Sequence, residues 1–165
     1  MAQFHIRRRH PVNKREVRAL NRALEAVHSL EFSYRPGEVE LAQSPNGQAL
    51  LRDGHVIALE WGERWHLSVR GLLEVTPPGG WVQVDMGAVP FLRNGANVMA
   101  AGINGTDEII VSGDLVWVRD EIHQRPLAIG EALLDGAAMV ATTRGKAVKT
   151  LHYIGDSIWH HGDDD

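Results

Sequence analysis

Residues 85–103 have the sequence DMGAVPFLRNGANVMAAGI, and this stretch decides how the second half of the chain is organised. Trp81 to Asp85 before it predicts a strand. Gly87 to Arg93 predicts a short helix, which Asn94-Gly95 ends because glycine favours the turn after a helix. The apolar residues from Asn97 to Ala101 then predict a second strand. A strand, a short helix and a strand in close succession indicate a small domain of mixed secondary structure.

Short strand candidates continue from this stretch towards the C-terminus. Gly102 to Gly105 is predicted to turn the chain, and Gly113-Asp114, Asp135-Gly136 and Arg144-Gly145 mark further turns. Several short strands with one early helix predict a small mixed β-barrel. In chain order, the further strands expected are Ile109–Val111, Leu115–Val118, Pro126–Leu133, Ala138–Thr142 and Lys146–Ile154.

The first half of the chain opens with a strongly patterned helix. Asn13 is predicted to cap it, and Glu16, three residues later, completes a capping box. Apolar residues then recur at helical spacing from Val17 to Leu30 and define a buried stripe. Short strands follow between Glu38 and Val69, and Asp53-Gly54 between two of them indicates a tight hairpin. This pattern predicts an α+β fold.

Several segments of the second half resemble the PUA domain, the RNA-binding module shared by pseudouridine synthases and archaeosine transglycosylases. They occur in the order of that module and cover residues 81–159. Each segment alone is weak evidence, whereas the ordered set is specific. The segments are Asp85–Ala88, Leu92–Ile103, Gly113–Val118, Pro126–Gly130, Arg144–Val148 and Leu151–Trp159.

The whole chain is similar to the translation-machinery-associated PUA proteins. The wider resemblance is carried by a basic first strand, the helix entry Arg9-His10-Pro11, an α+β first half and a C-terminal PUA domain. Those proteins are archaeal and stand alone. They are similar to the eukaryotic malignant-T-cell-amplified-sequence family and to the N-terminal part of ligatin.

The resemblance, together with the boundary signal Thr76-Pro77-Pro78-Gly79-Gly80, implies two domains. Residues 1–78 are expected to form an N-terminal α+β (pre-PUA) domain. Residues 79–159 are expected to form a C-terminal PUA pseudo-barrel of short mixed β-strands. Residues 160–165 are expected to be a disordered tail, because they follow the last strand. Their histidines and aspartates are residue types that bind metals, but they have no defined geometry for a metal ion.

The relatives in this family act at the small ribosomal subunit, near the initiator tRNA and its acceptor end. The resemblance implies a non-enzymatic RNA-binding protein of the translation apparatus, whose PUA domain binds structured RNA such as the tRNA acceptor arm or ribosomal RNA. The small ribosomal subunit or a translation factor is then an expected partner. The alternative is an accessory RNA-binding subunit of an RNA-modifying enzyme of the pseudouridine synthase or transglycosylase type. A third possibility is a protein-interaction module that has lost RNA binding.

In PUA domains the RNA runs along the first helix, the strand that follows it and the final strand. A missing side chain at Gly87 permits close approach of a phosphate backbone, and basic side chains pair with phosphates. Capping and turn formation are the alternative roles for the polar residues at the end of the helix, and His152 is either buried or a contact. The residues expected to contact RNA are Gly87, Arg93, Asn94, Asn97, Arg144, Lys146 and Lys149.

Positive charge is concentrated near the N-terminus, although the net charge of the chain is −4. Residues 1–30 carry seven basic and two acidic side chains (+5), and residues 31–165 carry ten and nineteen (−9). A basic segment on an acidic body indicates contact with a polyanion or an acidic partner, and a solvated helix face is the alternative. Ribosomal RNA is the preferred ligand. This second basic surface comprises Arg7, Arg8, Arg9, Lys14, Arg15, Arg18 and Arg22.

No catalytic constellation is found in the sequence. The chain has no cysteine, which excludes disulfides, thiol nucleophiles and cysteine-ligated metals. Gly155-Asp156-Ser157 supplies only half of a serine-hydrolase motif, and neither a nucleotide-binding fingerprint nor a His-Glu-x-x-His pattern occurs. We therefore expect no enzymatic activity, no cofactor and no bound metal.

Membrane and secretion signals are also missing from the sequence. No apolar run approaches the ~18 residues that span a bilayer. No apolar stretch follows the N-terminal charges, as it would in a secretory signal. We expect a cytoplasmic protein that is a monomer and has no membrane partner.

Overall fold

The computed structural model describes residues 3–163 and divides the chain into two compact units. The first unit is formed by the chain up to Pro78 together with the segment from Ser157 onward, and the second is Gly79–Asp156. Both units contain helices and strands, so the α+β class predicted from the sequence is confirmed.

The sheet of the first unit is an antiparallel meander of five strands in consecutive order. Its hairpins need only short turns, such as Asp53-Gly54, where both residues have positive φ as the tight hairpin requires. Two helices, α1 (Lys14–His28) and α2 (Val69–Glu74), pack against this sheet. The strands are β1 (Arg7–Pro11), β2 (Glu40–Ser44), β3 (Gly47–Arg52), β4 (His55–Trp61) and β5 (Arg64–Leu67).

Helix α1 begins where the capping box predicts. The Glu16 backbone N–H donates to the Asn13 side chain (2.9 Å), and the Asn13 backbone N–H donates to the Glu16 carboxylate (3.1 Å). Val17, Leu20 and Leu24 of the apolar stripe are buried. Because these residues fix which side of α1 faces the sheet, the basic residues on its other side are exposed to solvent.

Two histidines are buried where α1 meets β5. The rings of His28 and His66 have centroids 4.4 Å apart, and both side chains are almost completely buried. The Leu67 backbone N–H donates to His28 Nε2 (3.1 Å), and His66 Nδ1–H donates to the Leu67 carbonyl (2.7 Å). Burial, helped by the neighbouring His66, lowers the pKa of His28 to about 2. His28 is therefore neutral in the folded protein at any pH above that value.

Because His28 is neutral in the folded protein, we expect the free energy of unfolding to fall in mild acid. Unfolding returns the pKa of His28 to 6.5, so below pH 6.5 the unfolded chain binds a proton that the folded protein does not. The free energy of unfolding should fall by about 2 kcal/mol between pH 7 and pH 5 on account of His28. Urea denaturation across this range should show a flatter pH dependence for His28→Gln, which keeps an acceptor for Leu67. Parallel curves for the two proteins would contradict the assignment.

The second unit is a six-stranded sheet that closes almost completely on itself. The strand order is β7-β11-β10-β9-β6-β8, with β6 and β9 parallel and the other neighbours antiparallel. The edge strands β7 and β8 are joined by a 3₁₀ turn, Ala100–Gly102, which brings the edges together as a pseudo-barrel. The elements are β6 (Trp81–Val84), α3 (Val89–Leu92), β7 (Val98–Met99), β8 (Ile103–Thr106), β9 (Leu115–Asp120), β10 (Pro126–Ala132), α4 (Gly136–Ala141) and β11 (Lys146–Tyr153).

Three predictions of local structure in this unit are wrong. The predicted turn at Gly102–Gly105 is largely strand β8, which pairs with β6. The predicted strand Ile109–Val111 lies outside the sheet, and the predicted strand Ala138–Thr142 lies mainly in α4. Short apolar runs do not distinguish a strand from a buried helix turn, and pairing partners distant in sequence decide between them. Ile109, Val111 and Val140 of these two segments are consequently exposed, whereas Ile110 and Met139 are buried in the core.

The C-terminal segment belongs to the first unit. Helix α5 (Ser157–His160) packs against β4. The Arg70 guanidinium lies 4.1 Å from the centre of the Trp159 ring and donates to the Trp159 carbonyl (2.8 Å). Arg70 and His55 both hydrogen-bond to the Asp163 carboxylate (3.1 and 3.0 Å).

These contacts differ from the sequence prediction in two respects. The second unit ends at Asp156 rather than at residue 159. Residues 160–163, predicted to be a disordered tail, are held against the first unit by side chains that are distant in sequence and could not be inferred from local pattern. Residues 164 and 165 of the predicted tail lie outside the described residues.

Candidate nucleic-acid interface

A groove of about 460 Å³ lies between α3, β7 and the start of β11 in the second unit. Phe91 and Leu92 line it from α3, Val98 and Met99 from β7, and Lys146 from β11. Most of its wall is therefore apolar, and its charged lining residues are Lys146 and Asp85.

The backbone around α3 is fixed at both ends. Before the helix, the Ala88 N–H donates to the Asp85 carboxylate (3.0 Å), and the Met86 N–H donates to Glu121 (2.8 Å). After the helix, Gly95 has a φ of +84°, and a Cβ there would lie 2.8 Å from the Tyr153 ring. Gly95 is consequently required both for the turn and for the close approach of β11, so it acts as a helix stop.

The two sides of the groove carry exposed apolar side chains. Phe91, on α3, is 67% exposed, and Met99, on β7, is 47% exposed. Met99 is the cross-strand neighbour of Lys146. The aromatic ring and the thioether suit contact with the apolar face of a base, and the neighbouring ammonium group suits contact with a phosphate.

Three of the predicted contact residues line this groove: Gly87, Asn97 and Lys146. The Asn97 side-chain carbonyl accepts the Thr150 backbone N–H (3.0 Å), so Asn97 also ties the turn after α3 to β11. Lys146 is exposed. The groove thus joins residues that are almost sixty positions apart in the sequence, because β7 and β11 pair.

The other four predicted contact residues are exposed but do not line the groove. Arg93 and Asn94 follow α3 directly, and Arg144 lies just before β11. Lys149 is on β11, opposite Glu131 of β10 in the strand pairing. Of the basic residues predicted to contact RNA, Lys146 is therefore the one that lines the apolar groove.

The structure places His152 in the interior. Its side chain is buried, and its Nδ1–H donates to the Asp156 carboxylate (2.8 Å). The same carboxylate oxygen accepts the Tyr153 backbone N–H (3.0 Å). Of the two roles left open by the sequence, His152 has the structural one.

Sequence reasoning missed Phe91 and Met99 as candidate contacts. Apolar residues at helix and strand spacing indicate a core. Both side chains are exposed because α3 has only four residues and β7 only two, so each element buries one face and leaves the next residue outside. Phe91 lies two residues before Arg93, which the sequence had already marked as a candidate contact. Nothing in the sequence pattern, however, indicated that the Phe91 side chain is exposed.

The second basic surface lies on α1 and β1 of the first unit. Arg15, Arg18 and Arg22 recur at helical spacing on one side of α1 and are exposed, as Lys14 is. Within residues 3–163, these four side chains form no ion pair with a carboxylate. The acids of the same helix are used elsewhere: Glu16 in the capping box and Glu25 as acceptor of the Phe32 backbone N–H (3.1 Å). The positive charge of α1 is therefore left available.

The arm of this surface is less uniform than the sequence suggests. Arg7 and Arg8 are exposed, and Arg8 has a φ of +55° at a bulge in the pairing of β1 with β2. Arg9 instead donates through Nε and Nη2 to the Glu40 carboxylate (2.9 and 2.6 Å). That hydrogen bond lowers the pKa of Glu40 and raises the pKa of Arg9. Arg9 is thus neutralised within the first unit, which sequence spacing could not reveal.

These features define a class of protein. The chain has an α+β unit followed by a nearly closed pseudo-barrel with a groove beside its first helix. A family model described as "PUA domain" matches residues 80–154, which is the second unit almost completely. A PUA domain points to RNA as ligand.

The chain belongs to the family of stand-alone PUA-domain proteins. It is 38% identical to "Uncharacterized protein MJ1432" of Methanocaldococcus jannaschii over 94% of this chain and 97% of that one. A crystal structure of hypothetical protein PH0734.1 from Pyrococcus horikoshii is similar at 33% identity and a TM-score of 0.78, over 93% and 98% of the two chains. A conserved PUA domain protein from Thermoplasma acidophilum is 28% identical with a TM-score of 0.79, over 90% and 95%.

Eukaryotic relatives match over a shorter stretch. Translation machinery-associated protein 20 of Schizosaccharomyces pombe is 34% identical over 47% of this chain and 45% of its own length. The malignant T-cell-amplified sequence 1 homolog of Drosophila melanogaster is 31% identical over 47% and 44%. The chain therefore aligns with slightly less than half of the length of these two relatives. Among residues 3–163, no helix is long and apolar enough to cross a membrane.

Proposed function

We propose that this protein is a non-enzymatic RNA-binding protein of the cytoplasmic translation apparatus. Its PUA domain binds structured RNA, the acceptor arm of tRNA or ribosomal RNA, at the small ribosomal subunit. The observation that carries the proposal is the groove in which Lys146 borders the exposed apolar side chains of Phe91 and Met99.

Each part of the groove has a distinct task in this proposal. Lys146 contacts a phosphate, and Arg144, just before β11, and Lys149, on that strand, add further positive charge. Gly87 has no side chain of its own, which leaves room for the RNA backbone at the start of α3 beside the Asp85 carboxylate. Phe91 offers a ring for stacking to an unpaired base, as single-stranded ends of RNA require. Arg93, Asn94 and Asn97 flank this surface and reach sugar or base edges.

The exposed basic face of α1 supplies a second contact in this proposal. Arg15, Arg18 and Arg22 span about 10 Å along the helix, given a rise of 1.5 Å per residue. Lys14 of the same helix and Arg7 and Arg8 of β1 add further exposed cations for the phosphates of ribosomal RNA. Arg9 supports the arm through Glu40 and does not contact the RNA itself.

The contribution of α1 can be measured by charge reversal. The double variant Arg15→Glu/Arg18→Glu should bind ribosomal RNA about a hundredfold more weakly at low salt, because two phosphate contacts become repulsive and each accounts for roughly tenfold. Filter binding gives the affinity. Arg35→Glu/Arg64→Glu is the matched control, since it changes the charge of the same unit equally at exposed positions outside α1. Equal losses of RNA affinity in both double variants would show that the effect comes from net charge. That result would contradict a contact between α1 and the RNA.

Co-sedimentation tests the proposed site of action. The protein should move with small ribosomal subunits through a sucrose gradient at low salt and be released as salt rises. Co-purification with an RNA-modifying enzyme, and none with the subunits, would instead favour the accessory-subunit alternative. A folded protein that fails to bind tRNA and ribosomal RNA at low salt would refute both.

A further inference from the structure

The second unit carries an exposed apolar surface that its RNA-facing groove does not include. Ile109, Val111, Leu133 and Val140 are 80%, 54%, 38% and 49% exposed, and Ile109 is the most exposed large apolar residue within residues 3–163. None of the four lines the groove. Contiguous exposed apolar residues on a soluble protein mark interaction sites.

Hydrogen bonds hold the segments that carry Ile109, Val111 and Leu133 side by side, and Val140 lies one turn further along α4. The Gly136 N–H donates to the Ile110 carbonyl (2.8 Å), and the Gly113 N–H donates to the Ala132 carbonyl (2.7 Å). The Ser112 hydroxyl donates to the Leu133 carbonyl (3.2 Å). The segment 109–113 is therefore held directly beside 132–136 and the start of α4.

The segments beneath this surface pack closely against each other. A Cβ at Gly136 would clash with the Asp107 carbonyl oxygen, so only glycine fits there. Between the exposed residues, Ile110 and Met139 are buried in the barrel core. Helix α4 has the sequence GAAMVA and exposes only alanine and valine, whereas a solvated helix face normally carries polar residues.

The two segments that form this surface carry acidic and no basic side chains, and the basic residue Lys146 adjoins them next to Ala147, whose carbonyl accepts the Leu133 N–H (2.8 Å). Residues 106–118 and 126–143 contain no lysine or arginine. Asp114 accepts the Val111 N–H (3.0 Å) and Asp135 accepts the Ser112 N–H (2.9 Å), so both carboxylates are fixed beside the apolar residues. Glu108 is exposed next to Ile109. Phosphates are repelled here, and a cationic partner is attracted.

We propose that Ile109, Val111, Leu133 and Val140, with the acidic residues Glu108, Asp114 and Asp135, form a docking surface for a basic amphipathic segment of a partner protein. The apolar side of that segment covers the isoleucine, leucine and valines. Its arginine or lysine side chains pair with the carboxylates at the rim, where an arginine can bind bidentately. This proposal does not depend on the proposed RNA site, because the two surfaces share no residue.

Fluorescence anisotropy with a designed peptide tests the proposal. The probe is a short helical peptide with arginines on one face and leucines on the other, and two control peptides replace either the leucines with serine or the arginines with glutamate. The full chain should bind the probe at least about tenfold more tightly than either control peptide, since both apolar and charged contacts are needed. Equal binding of the probe and the serine peptide would overturn the proposal.

Matched variants locate the binding. Ile109→Ser and Val140→Ser should each measurably weaken the binding of the probe peptide, and together they should weaken it at least about tenfold. Neither substitution should change the melting temperature. Ile122→Ser is the control, since Ile122 is also highly exposed but follows the opposite end of β9, roughly 20 Å from Asp114. Equal losses in the control, or loss of RNA affinity instead of peptide affinity, would overturn the assignment. Concentration-dependent self-association that these variants abolish would assign the surface to a second copy of the chain instead.

Discussion

Replacing Lys146 and Lys149 together with glutamate is expected to lower the affinity for structured RNA about a hundredfold, as each reversed phosphate contact accounts for roughly tenfold. Lys146 borders the apolar groove, whereas Lys149 lies on the same strand and does not line it. Lys146→Glu alone should therefore account for more of the loss than Lys149→Glu alone. Both side chains are exposed, so the fold should be retained.

A filter-binding titration at several salt concentrations measures this effect. The slope of log affinity against log salt should become shallower by about 1.5 for the double variant, because two phosphate contacts are lost. Arg125→Glu is the control: it is exposed in the same unit, in the turn between β9 and β10. A double variant that binds RNA as tightly as the natural protein would refute the groove as the RNA site.

Replacing Asp156 with alanine is expected to destabilise the protein by about 3 kcal/mol, since breaking a buried pair leaves its partner uncompensated. Asp156 is 5% exposed, and its carboxylate accepts hydrogen bonds from His152 Nδ1–H and the Tyr153 N–H. The alanine variant would leave a buried imidazole donor and a backbone donor without this acceptor. Asp156→Asn retains an acceptor oxygen of similar size and should cost less than half as much.

Urea denaturation followed by circular dichroism gives the two free energies of unfolding. The difference between the alanine and asparagine variants isolates the hydrogen bonds from the charge of Asp156. If the two variants were equally destabilised, the charge rather than the bonding would hold this corner of the fold. An alanine variant as stable as the natural protein would show that the interior placement of His152 does not depend on Asp156.

Local patterns determined much of the fold. The capping box at Asn13 and Glu16, the stripe from Val17 and the Asp53-Gly54 hairpin act within a few residues, so their geometry follows from the sequence directly. The ordered motifs after residue 80 likewise identified the PUA domain, which the family match confirms. The candidate residues Gly87, Asn97 and Lys146 came from those same motifs.

Only the tertiary structure decided which of the remaining side chains are free, paired or covered. Ala138–Thr142 lies mainly in a helix rather than a strand because barrel pairing, formed between distant strands, leaves it outside the sheet. Arg9 lies against Glu40, thirty-one residues away, so charge counted along the chain overstated the basic arm. Phe91 and Ile109 look like core residues in the sequence, yet both are exposed. Burial and ion pairing depend on contacts between distant parts of the chain, which local spacing does not encode.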